Sequence, residues 1–123
     1  MQLTLENPDF RYMLRGADGN GALVNERQLD TSFILAPNQL VENWRPRAIG
    51  ELTPEDLGPV LELSPSVVLL GSGRSLVFPP AAVMAACLTR GIGIEVMTNA
   101  AAARTYSVLA GEGRRVVAGF LFR

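Results

Sequence analysis

The residues best suited to chemistry in this sequence sit in one short stretch, "VVLLGSGRSLVFPP" at 67–80. An apolar run ends in Gly71, Ser72, Gly73 and Arg74. Two glycines let backbone N–H groups come close to an anion, the serine adds a hydroxyl, and the arginine offers a bidentate fork for phosphate or carboxylate. That order reads as an anion cradle at the end of a strand. It does not read as a nucleotide fingerprint. A dinucleotide motif needs a third glycine at 76, where Leu76 stands, and a helix that opens at once, whereas "SLVF" and two prolines intervene. A phosphate loop ends in Gly-Lys-Ser/Thr, and the chain has no lysine. The structural alternative is that the glycines serve positive φ and close chain packing.

Two absences narrow the chemistry further. Without histidine there is no Ser-His-Asp relay, no Cys-His pair and no imidazole metal ligand. Without lysine there is no Schiff base. The single cysteine, Cys87, builds neither a disulfide nor a zinc site and reads as a packed thiol. Asp18, Glu26 and Asp30 read as solvated groups at turns and strand rims, and no carboxylate pair has the spacing of a general acid and base. No metal and no cofactor is expected. The balance favours a binding role over catalysis.

These residues need a frame. Nearly half the chain is apolar and the formal charge is −1, which describes one globular domain over 1–123. The eleven arginines are spread along the sequence, so no basic stripe and no nucleic-acid partner is expected. No apolar run reaches the ~20 residues of a membrane helix, and "MQLTLENPDFRYMLRG" lacks the pattern of a secretory leader; the expected location is the cytoplasm.

The first third predicts a β-meander, with strands near 10–16, 22–25, 32–36 and 39–43. Asp18-Gly19 and Asn20-Gly21 are expected to supply positive φ in tight loops. "RPRAIGEL" reads as a connection and "TPEDLGPVLEL" as a short helix opened by Thr53 and Pro54. Then follow a doubly buried strand at 66–71, a helix at 80–91 ended by Gly91, a strand at 92–97, a helix at 98–113 and a last strand at 114–122 of open direction. The crossover rule makes 66–71 and 92–97 parallel neighbours. Their exits then share one rim, bringing Gly71–Arg74 beside Thr98 and Asn99 at a helix start that attracts anions. Arg104 either reaches that rim or pairs with a carboxylate such as Glu95.

The helix pattern raises a second question. "PAAVMAACL" carries no polar side chain before Thr89, so more than one of its sides calls for cover. The cover is either an added β layer or a partner protein, with Ala82, Ala85, Ala86 and Thr89 permitting close approach; a second copy of the chain is one such partner. In the last helix Ala101, Ala102, Thr105, Val108 and Leu109 read as the inward face, flanked by Arg104 and Tyr106.

The glycine loop with its Phe-Pro-Pro, together with "RGIGIEVMTNAAAARTYSVLAGEGRRVVAGFLF", resembles the adipogenesis-associated Mth-like domain family over about residues 10–122. That family includes a mitochondrial assembly factor of the complex I alpha subcomplex. The resemblance implies a layered α/β fold, a mixed central sheet flanked by helices with an additional N-terminal β layer. It also implies a non-catalytic assembly or protein-binding role, with respiratory-complex subunits as partners. The sequence departs from the family pattern at Ala103, where cysteine is frequent, at Ser107, where asparagine is usual, and at Thr98-Asn99, where Asp-Thr is common. The rival function is a small-ligand or anion binder, or an enzyme, that uses the rim pocket.

Overall fold

The computed structural model describes residues 10–123; residues 1–9, which carry much of the expectation about a leader, lie outside them. Among the described residues eight strands form two sheets. Strands β1 (Leu14–Ala17), β2 (Ala22–Val24) and β3 (Arg27–Leu29) make an antiparallel meander. Strands β4 (Phe33–Ala36), β5 (Gln39–Val41), β6 (Val67–Gly71), β7 (Gly93–Met97) and β8 (Val116–Phe120) form a mixed sheet in the order β5-β4-β8-β6-β7. The last strand inserts at the centre, parallel to β6 and antiparallel to β4, which resolves its open direction.

The apolar run of β6 follows from this position. Val67 and Leu69 face one core with Phe33, Phe120, Ala102 and Tyr106, while Val68 and Leu70 face the other with Leu57, Val83 and Cys87. A strand covered on both faces has no polar side to show. Helix α3 (Asn99–Gly111) and the β1–β3 sheet cover the first face; α1 (Gly58–Leu61), α2 (Ala81–Leu88) and two 3-10 turns at Ile49–Glu51 and Pro54–Leu57 lie on the second. Among the described residues no helix is long and apolar enough to cross a membrane.

Four local expectations change. Strand β3 was not foreseen: of its three residues only Leu29 is buried, so its period is too short to read. Gly19 and Gly21 do not take positive φ. Instead the Asp18 carboxylate closes the turn, accepting from the N–H groups of Asn20 at 2.8 Å and Gly21 at 3.1 Å. The added β layer does not cover α2, because it packs with α3 on the opposite face. The inward face of α3 is Asn99, Ala102, Ala103, Tyr106 and Ala110, with Val108 exposed. Glu95 lies on the edge strand β7 and is exposed.

Candidate functional site

Parallel pairing sets Gly71 opposite Met97, so β6 and β7 do leave the sheet on one rim. The Ser72 N–H donates to the Met97 carbonyl at 2.7 Å and ties the two exits together. Asn99, wholly buried, is the hub between them. Its Oδ1 accepts from the Gly73 N–H at 3.0 Å, and its Nδ2 donates to the carbonyls of Asp18 and Leu121, each at 3.1 Å. Its backbone N–H donates to the Gly73 carbonyl at 2.8 Å. One amide thereby joins the β1–β2 turn, the β6 exit, the β8 exit and the helix start.

This network answers the question raised by the two glycines. A Cβ on Gly71 would collide with the Asn99 carboxamide. Gly73 stands at φ +105°, a region open to glycine at little cost. Thr98 caps α3 by accepting from the Ala101 N–H at 3.3 Å. Asn99, Thr98 and the Gly73 N–H, expected to face a ligand, therefore serve the chain itself. The Ser72 hydroxyl likewise donates to the Ser75 carbonyl at 2.6 Å and accepts from the Val77 N–H at 3.3 Å.

Arg74 does open to solvent. It enters a cleft of about 630 Å³ whose other walls include Arg47, Arg123, Asn20, Ile49 and Val77. Its Nη2 donates to Asn20 Oδ1 at 2.7 Å, and its stem lies against Gly19, where a Cβ would come within 2.7 Å of Arg74 Cβ. Two arginines invisible to spacing arguments join it. Arg47 follows Trp44 and Pro46, both buried; the Trp44 indole N–H donates to the Asp56 carbonyl at 2.9 Å and holds that corner. Arg123 follows Phe122, whose N–H donates to Ser32 Oγ at 3.0 Å. Among the described residues none of the three guanidiniums forms an ion pair. The nearby Asp18 carboxyl is held below its usual pKa first by the Asn20 N–H, then by that of Gly21, with a smaller contribution from the Arg74 charge.

Arg104 does not meet this cleft. It lines a separate groove of about 410 Å³ between β1 and α3, with Arg15, Gly16, Ala103 and Ser107. A smaller depression, walled by Arg74 and Ala100 among others, joins the two. On α2, Ala82, Ala85 and Thr89 are exposed and Ala86 is half-buried. The loop leading to that helix exposes Leu76 at 53%, Val77 at 48% and Phe78 at 65%.

Solved structures share this architecture. A Xanthomonas campestris protein determined by NMR is 56% identical, with 98% of this chain and 92% of that one covered and a TM-score of 0.84. A Bordetella parapertussis protein determined by crystallography is 31% identical over 89% of this chain and 94% of that one, with a TM-score of 0.82. A Bordetella pertussis protein described as a Mth938-like domain is 26% identical over 98% and 92%, with a TM-score of 0.79. No curated protein matches the sequence. The fold is thus that of Mth938-like domains, and residues 14–121 match the model of a family described as "Protein of unknown function (DUF498/DUF598)". The chain belongs to that family, DUF498/DUF598.

Proposed function

We propose that this domain is a non-catalytic binding protein whose strand-end cleft receives an anionic group, a phosphate or a carboxylate. The observation that carries the reading is that Arg47, Arg74 and Arg123 line one cleft to which no Asp or Glu contributes, and that among the described residues none of the three forms an ion pair. Arginines that line one cleft can share an anion, each offering it bidentate hydrogen bonds. The groove lies outside the carboxyl ends of parallel strands, where sheets of this type commonly take ligands. The cleft's polar groups are arginine, asparagine and serine. With no histidine or lysine in the chain, they suit holding a charge better than moving a proton. The resemblance to complex I assembly factors supports a role in which the bound group belongs to a partner, respiratory-complex subunits included.

The test is a titration with inorganic phosphate, acetate and nucleotides, followed by backbone amide shifts. Saturable shifts at residues 72–75 and 123 are expected, with loss of about tenfold or more in affinity for Arg74→Ala. Absence of saturable shifts at millimolar anion would overturn the reading, as would measured turnover of any metabolite.

A further inference from the structure

The apolar loop beside the cleft identifies the kind of molecule that brings the anion. Leu76, Val77 and Phe78 are consecutive and exposed, and their exposure is built in. Ser72 pins the turn at both ends through Ser75 and Val77. Pro79 is buried, and the Pro80 carbonyl accepts from the Val83 N–H at 3.0 Å at the start of α2. Side chains 76–78 are thus presented on a braced segment, at the cost of leaving apolar surface in water. Val77 belongs to both features, since it also walls the arginine cleft. The exposed side of α2 continues the apolar surface through Ala82, Ala85 and Leu88, the last 58% exposed.

We infer that this surface docks a segment of a partner protein in which acidic side chains lie next to bulky apolar ones. The carboxylates enter between Arg47, Arg74 and Arg123 while the apolar residues cover Leu76, Val77 and Phe78. Charge complementarity selects this occupant. A purely apolar partner leaves the three guanidiniums unmatched at its border, and a small free anion leaves the ridge in water. A second copy of this chain is less suited: its one described run of adjacent carboxylates, Glu55-Asp56, has Asp56 already bound to Arg45. The inference rests on the anion reading of the cleft and adds the ridge to it.

Two synthetic probes test it on the intact chain: acetyl-Glu-Glu-Gly-Leu-Phe-Leu-amide and the same residues in reverse order. The acidic and apolar halves are titrated separately, and inorganic phosphate serves as the control for the cleft alone. The expected result is saturable binding of at least one full peptide, with shifts at both 72–75 and 76–78, and about tenfold weaker binding of each half. Phe78→Ser, at an exposed position, is expected to weaken the peptide about tenfold and leave phosphate affinity unchanged. If phosphate binds but neither peptide does, or if Phe78→Ser leaves peptide affinity intact, the inference fails and the cleft reading stands. If neither phosphate nor peptide binds, both fail. Concentration-dependent dimers that Phe78→Ser abolishes would assign the ridge to a second copy and also overturn it.

Discussion

Arg45 and Arg47 are two residues apart and meet opposite fates. Arg45 donates through Nε to Asp56 Oδ1 at 2.8 Å, pairs with Oδ2 through Nη2, and reaches the Glu51 carbonyl at 2.8 Å. Asp56 in turn caps the 3-10 turn by accepting from the Thr53 N–H at 2.9 Å. Arg47, on the other side of Pro46, offers its backbone N–H to Glu51 and lines the cleft together with Arg74 and Arg123. The difference separates two uses of one residue type. Where a carboxylate is supplied by the chain, the guanidinium closes a corner of the fold; where none is supplied, the charge faces outward and awaits one.

The largest effect is expected from breaking the hub on which the cleft depends. Asn99→Ala leaves the Gly73 N–H and the Asp18 and Leu121 carbonyls without a buried partner, and is expected to cost about 3 kcal/mol. The check is a shift in the urea midpoint. On the paired side, Asp56→Ala is expected to cost about 1–2 kcal/mol through loss of its cap and its arginine.

The pH dependence of Asp56 follows from the same contacts. The Arg45 hydrogen bond is the first cause that lowers its folded pKa, with further help from Thr53. Its contribution is therefore fully present above the unfolded carboxyl pKa of about 3.9 and lost as pH falls through the folded value. Urea midpoints measured from neutral to strongly acid pH are expected to fall less steeply below about pH 4 in Asp56→Asn than in the wild type.

The smallest changes in stability, and the sharpest contrast, concern the arginines themselves. Arg47→Ala and Arg123→Ala are expected to alter stability by no more than about 0.5 kcal/mol while weakening phosphate binding about fivefold each. Arg45→Ala is expected to do the reverse, lowering the urea midpoint slightly with anion affinity unchanged. Calorimetric titration beside denaturant unfolding reads both quantities on each variant.

Sequence patterns exposed the frame better than the site. The runs at 66–71 and 92–97 and the glycine stops were legible because burial on two faces and chain reversal each require particular residue types. Strand β3 was illegible because Arg27 and Gln28 are exposed and a single buried Leu29 carries no period. The inward face of α3 lies one position on from the apolar pattern and includes a buried amide, Asn99; a polar residue gives no hydrophobic signal. Gly71 and Arg74 were legible as a rim loop. Arg47 and Arg123 were not, because tertiary contacts alone bring them to Arg74. The only local hint is Arg-Pro-Arg, in which a rigid proline sends two like charges separate ways.

The most direct measurement follows the arginine side-chain Nε–Hε resonances during a phosphate titration at constant ionic strength. The account expects saturable shifts for Arg47, Arg74 and Arg123 with one common affinity, while Arg45 stays still. Uniform drift of all four, or movement of Arg45 with the others unmoved, would contradict it.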